Sequence, residues 1–209
     1  MTWIKVCGIT NLEDALAAAE AGADALGFVF APGSPRYVEP WQASAIIARL
    51  PRGVATVGVF VDAPAEEAMA TVEECGLGLV QLHGQEPPAF CAVMPVPVIK
   101  AVRVRGPESL EGLAAYRGRV RALLLDAYAP GLAGGTGQGF DHALALEAKR
   151  HGDVIVAGGL TPANVAEVVR RVRPFGVDAS SRLEAAPGRK NPELVRRFIA
   201  EVRRTDGIP

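Results

Sequence analysis

Short apolar runs alternate along this chain with longer stretches whose apolar residues recur at helical spacing. Residues 3–7 make the first apolar run. Residues 11–21 follow, with Asn11 of N-cap type, Asp14 in the first turn and Gly22 at the end, so the pattern predicts a strand and then a helix. The alternation repeats. Further strands are predicted at 25–30, 54–61, 77–82, 96–102, 122–126, 154–157 and 175–178, and further helices at 40–50, 63–75, 107–116, 141–149, 162–172 and 191–204. Residues 85–94 carry Pro87 and Pro88, which keep any helix there short.

This makes about eight βα units at a spacing of roughly 25 residues. Strands separated by helices pair in parallel, because each crossover returns the chain to the same edge. Eight such units favour closure, so the predicted fold is α/β, a single (β/α)8 TIM barrel over residues 1–209. No linker, charge block or low-complexity segment suggests a second domain.

Composition narrows the function classes. Hydrophobic residues make up 49% of the chain, enough for a buried core, and the net charge is −1. A nucleic-acid or anionic-membrane partner would want a basic excess, so neither is expected. No apolar run nears the ~20 residues that span a bilayer, and residues 1–8 lack a signal-peptide core. Cys7, Cys75 and Cys91 fit neither a disulfide framework nor a zinc site, so reduced thiols, a cytoplasmic location and no metal are expected.

In a barrel of this kind, catalytic groups gather at the C-terminal ends of the strands. That edge carries Cys7-Gly8, residues 31–36, Val61-Asp62, residues 81–84, Arg103, Asp126, residues 134–137, Gly158-Gly159 and Ser180-Ser181. Gly158-Gly159 and Ser180-Ser181 follow the seventh and eighth strands, where barrels often bind phosphate. Glycine lets backbone N–H groups come close, and serine adds hydroxyl donors. Gly135, in the Gly-Gly-Thr-Gly run at 134–137, adds N–H groups or belongs to a lid. The alternative is a set of tight turns.

Cys7 and Asp126 end the first and sixth strands and converge across the barrel mouth. A thiolate and a carboxylic acid facing one cleft can take one proton and give another. Taken singly, Cys7 also reads as a buried small hydrophobe and Asp126 as an ion-pair or capping residue. Lys5, two residues before Cys7, points into the barrel, where it needs a partner, and is a candidate for lowering the Cys7 pKa. Arg36 sits in a loop stiffened by Pro32 and Pro35 and suits a carboxylate or phosphate. His83 shares a face with Gln81 and reads as a structural, orienting or substrate-facing wall residue, with a weak acid–base role as the alternative. Asp178 is placed to orient the serine loop.

The ordered motifs resemble the phosphoribosylanthranilate isomerase family. They are Lys5-Val6-Cys7-Gly8-Ile9-Thr10, Gly27-Phe28-Val29-Phe30, Ser34-Pro35-Arg36-Tyr37-Val38, Gln81-Leu82-His83-Gly84, Leu125-Asp126, Gly134-Gly135-Thr136-Gly137, Ala157-Gly158-Gly159-Leu160 and Gly176-Val177-Asp178 with Ser180-Ser181. Two positions depart from the family pattern: Arg182-Leu183 stands where Gly-Val is expected, and Asn191 where Asp is expected. The resemblance implies an Amadori rearrangement without a cofactor, on a small phosphorylated substrate. Asp126 would be the general acid, Cys7 the base, Arg36 the residue holding the anthranilate carboxylate, and the glycines and serines the phosphate cradle. Family members occur as monomers and homodimers, so a homodimer stays open. Other phosphosugar barrels of the histidine and tryptophan pathways, or a non-catalytic phospho-ligand barrel, are the alternatives.

Overall fold

The computed structural model describes residues 1–127 and 142–207. Eight parallel strands close into a barrel in chain order: β1 (Trp3–Cys7), β2 (Ala25–Val29), β3 (Ala55–Phe60), β4 (Leu79–Leu82), β5 (Val98–Val104), β6 (Ala122–Ala127), β7 (Val154–Ala157) and β8 (Gly176–Ala179). Closure comes from β8 pairing with β1, with Lys5 opposite Asp178.

The crossovers carry α1 (Leu12–Glu20), α2 (Pro40–Ile47), α3 (Ala65–Cys75), the short α4 (Pro88–Val93), α5 (His142–Ala148), α6 (Val165–Val172) and, at the chain end, α7 (Pro192–Thr205). Local chemistry explains their ends. The Asn11 side chain accepts from Asp14 N at 2.9 Å and starts α1. Gly76, at φ 64°, ends α3 in the left-handed region that glycine adopts freely. Asn191 caps α7, accepting from Glu193 N and Leu194 N, so this departure from the family pattern keeps the capping chemistry.

One predicted helix is different. Residues 107–116 form two 3-10 turns, Pro107–Leu110 and Leu113–Tyr116. Gly112, at φ 83°, and the extended Glu111 break the segment between them. An antiparallel pair, β9 (Glu184–Ala186) with β10 (Arg189–Lys190), follows β8 and was not predicted. No helix among the described residues is long and apolar enough to cross a membrane.

Strand alternation divides the core in two. Ile4, Val6, Leu26, Phe28, Phe60 and Val80 face the helices, where Phe30 and Phe60 stack at 5.3 Å. Ala25, Val57, Ile99, Ala101, Ala122, Leu124, Ile155 and Ala157 fill the barrel interior. Fully burying one of its larger side chains, such as Leu124, contributes about 1.5–3 kcal/mol. The interior is therefore packed, and the residues above it are pushed to the mouth.

Candidate active site

A cavity of about 540 Å³ opens at the C-terminal edge of the strands. Cys7, Arg36, Gln81, His83, Arg103, Asp126, Gly158, Gly159, Ser180 and Ser181 all border it. Every sequence-predicted site residue except Gly135 is thus brought to one opening; Gly135 and the rest of 134–137 lie outside the described residues. A cleft of similar size at the other end of the barrel is lined mainly by basic residues, Arg117, Lys149, Arg150 and Arg173, with His151 and Asp153.

Cys7 is buried at the end of β1. Two residues below it on the same face, the fully buried Lys5 donates to Asp178 Oδ2 at 2.9 Å. Burial works to lower the Lys5 pKa, but Asp178 and Cys7 outweigh it and hold the ammonium above its ordinary 10.5. The balance at Cys7 runs the other way. Burial pushes the thiol above its ordinary 9.0; Lys5 and Lys190 oppose this, and Asp178 reinforces it. Lys5 thus works to lower the Cys7 pKa, as its place two residues before the thiol suggested, but it does not set the sign of the net shift. Lys5 opposes the rise, but its own carboxylate partner and the dry interior prevail. Space for the sulfur comes from Gly27 on the neighbouring strand, since a Cβ there would lie 2.7 Å from Cys7 Sγ and 3.0 Å from Lys5 Cε.

Asp126, about one-third exposed at its side chain, ends the interior face of β6. His83 Nε2 lies 3.3 Å from Asp126 Oδ2, and Gln81 Nε2 lies 3.0 Å from His83 Nδ1. The ring therefore stands between the Gln81 amide and the Asp126 carboxyl. His83 is thereby placed against the carboxyl. Arg103 is paired in register with Asp126, is exposed, and forms no ion pair among the described residues.

Arg36 is clamped. Its Nε and Nη2 donate to the two Glu184 oxygens at 2.8 and 2.6 Å, and Lys190 Nζ donates to the same carboxylate at 2.8 Å. Burial works to raise the Glu184 carboxyl, but the hydrogen bonds from Arg36 and Lys190 hold it below its ordinary 4.5. Burial pushes Lys190 down despite Glu184. Two cations share one carboxylate, so this group keeps one excess positive charge beside Ser180, whose carbonyl Lys190 also reaches at 3.4 Å. Gly8 makes the close approach possible. It sits at φ +78°, and a Cβ there would lie 2.6 Å from Arg36 Cδ and 3.0 Å from Ser180 Oγ.

Gly158 and Gly159 follow β7 at φ 86° and 69°, a pair of consecutive left-handed residues that only glycine adopts without strain. Asn164 holds this loop by donating to Gly159 O at 3.2 Å and accepting from Thr161 N at 2.7 Å. Among the described residues, the N–H groups of Gly159, Ser181 and Arg182 have no protein acceptor. Together with the serine hydroxyls they form a donor-rich wall suited to an anion.

Sequence reading missed Glu184, Lys190 and Gly27, and left Arg103 without a role. Alternation was enough to place Arg103 above Ile99 and Ala101 on the interior face. The Arg36–Glu184 contact spans 148 residues and leaves no local trace. Asp178, expected to orient the serine loop, is instead the partner that Lys5 required.

A closed parallel barrel with a thiol, a positioned carboxyl and an anion wall at its C-terminal edge defines a (β/α)8-barrel enzyme of acid–base type. The model of the N-(5'-phosphoribosyl)anthranilate isomerase family matches residues 4–201, and the chain belongs to that family. The N-(5'-phosphoribosyl)anthranilate isomerase of Geobacter sp. (strain M21) is 55% identical over 204 residues, 98% of this chain and 99% of the relative. The phosphoribosyl anthranilate isomerase structure from Thermotoga maritima superposes with a TM-score of 0.91 at 42% identity, covering 97% of this chain and 99% of that one. A phosphoribosyl anthranilate isomerase structure in complex with reduced 1-(o-carboxyphenylamino)-1-deoxyribulose 5-phosphate gives a TM-score of 0.88 at 40% identity, with 97% of this chain and 99% of that one covered.

Proposed function

We propose that the chain isomerises N-(5'-phosphoribosyl)anthranilate to 1-(2-carboxyphenylamino)-1-deoxyribulose 5-phosphate, in tryptophan biosynthesis, with Asp126 as general acid and Cys7 as general base. The observation that carries this reading is that Cys7 and Asp126 border one cavity together with the Gly158-Gly159 and Ser180-Ser181 loops. The phosphate is held by those loops and the anthranilate carboxylate by the edge of Arg36 that Glu184 leaves open.

Asp126 protonates the furanose ring oxygen. The bond from that oxygen to C1 breaks, and the nitrogen lone pair forms the C1=N iminium. The Cys7 thiolate then takes the proton from C2, and the electron pair moves to form C1=C2 with a neutral nitrogen. The enolamine gains a proton at C1 and loses one from the C2 hydroxyl to give the ketone. No electrons leave the substrate. Its two anionic handles are fixed away from the reacting carbon, so binding energy aligns C2 and the ring oxygen between base and acid.

The test is loss of substrate fluorescence on adding the purified protein to phosphoribosylanthranilate. Turnover is expected, with Cys7→Ala and Asp126→Asn each lowering kcat by about two orders of magnitude or more. Near-wild-type turnover in either variant sinks the assignment of roles, and an inactive wild-type protein sinks the reaction itself.

A further inference from the structure

Arg182 directly follows the serine pair, where the family pattern has glycine, and borders the cavity beside Gly159, Ser180 and Ser181. It is exposed, and among the described residues its side chain has no hydrogen-bond or ion-pair partner. Arg103, across the cavity at the end of β5, is likewise without an ion pair among the described residues, but the cations closest to the serine loop are engaged. Lys5 is held by Asp178, while Arg36 and Lys190 are held by Glu184. These are also the carboxylates nearest to Arg182 along the chain, at positions 178 and 184, so both are already engaged.

A phosphate monoester carries about −1.5 to −2 charges near neutral pH, and backbone N–H and hydroxyl donors neutralise none of that charge. A guanidinium does, and its planar fork matches two phosphate oxygens at once. We propose that Arg182 is a phosphate-binding residue whose guanidinium pairs with the terminal phosphate of the substrate. This rests on the reading of the Gly158-Gly159 and Ser180-Ser181 loops as the phosphate cradle. Arg182 adds a full positive charge at the cradle to the excess charge that Arg36 and Lys190 keep beside Ser180. Because the phosphate stays in place throughout the reaction, the contact acts on the bound substrate and the transition state alike. Its loss is therefore felt mainly in KM.

The experiment compares wild type with Arg182→Met and Arg182→Lys, each verified as folded by circular dichroism. Two quantities are measured: the dissociation constant for inorganic phosphate by titration calorimetry, and the KM and kcat for phosphoribosylanthranilate. Losing one charge-assisted contact should raise both the phosphate constant and KM by about tenfold in Arg182→Met, with a smaller effect on kcat. Arg182→Lys should recover part of the loss, and the salt dependence of phosphate binding should be shallower in Arg182→Met than in wild type. Constants within twofold of wild type in Arg182→Met overturn the assignment, as does failure of the wild-type protein to bind phosphate. A wild-type protein that binds phosphate through Arg182 yet turns over no substrate leaves this inference standing and overturns the proposed reaction instead.

Discussion

Lys5 Nζ lies 2.9 Å from Asp178 Oδ2, inside the barrel and directly below Cys7 on the same face of β1. This pair sets the electrostatics under the proposed base. The ammonium favours a thiolate, the carboxylate opposes it, and burial tips the balance toward the thiol. Removing either partner should move Cys7 in opposite directions. Lys5→Met should slow iodoacetamide labelling of Cys7 at fixed pH, and Asp178→Asn should speed it, as read by mass spectrometry of the Cys7 peptide. Shifts of the same sign in both variants would contradict this account.

The same pair carries a pH signature. The Lys5 pKa is raised on folding, so its contribution to stability is fully present below the ordinary 10.5 and is lost as pH rises through the higher folded value. Either single substitution leaves a buried charge without its partner and should lower unfolding stability by about 3–5 kcal/mol. Denaturant melts at pH 8 measure the loss. A series to more alkaline pH should show wild type losing its advantage over Lys5→Met.

Gly27→Ala tests the space around the sulfur. The added methyl would stand 2.7 Å from Cys7 Sγ and 3.0 Å from Lys5 Cε, so the thiol must move. Displacement of a reacting atom by around 1 Å costs on the order of 10²-fold in rate. Activity should fall by about that factor while circular dichroism stays native. Full activity would show that the sulfur has room the packing does not reveal.

His83→Ala removes the ring that holds Asp126 at 3.3 Å but leaves both proposed proton-transfer groups in place. The expected loss is about tenfold in kcat, part of the 10²–10⁴ that a positioned acid contributes, with KM little changed. An effect confined to KM would make His83 a substrate contact and not a positioning residue.

Glu184→Gln should loosen Arg36 and leave Lys190 with a weaker partner, raising KM. The Glu184 carboxyl is held below 4.5, so its stabilising effect is present above that value and is lost as pH falls through the lower folded pKa. Wild type and Glu184→Gln should therefore differ in melting temperature near neutral pH and converge in strong acid. A gap that persists below pH 3 would mean that packing, not charge, makes the difference.

Period and punctuation alone made the barrel legible. Alternating residues 3–7 put Lys5 and Cys7 on one face, and Asn11 and Gly22 marked the ends of the first helix, because capping and helix-ending turns depend on adjacent residues. Residues 107–116 misled, since their apolar spacing suits a helix while Gly112 breaks it at φ 83°. Placement of Cys7, Asp126, Gly158, Gly159, Ser180 and Ser181 at one mouth followed from the strand ends, because parallel strands in a barrel all finish on the same edge. Which side chains touch was another matter. Lys5 with Asp178 and Arg36 with Glu184 lie 173 and 148 residues apart, and each residue alone reads as an unpaired charge. Only barrel closure brings such partners together. The sign of the Cys7 shift was likewise decided there, because desolvation depends on everything packed around the sulfur and not on the neighbouring lysine alone.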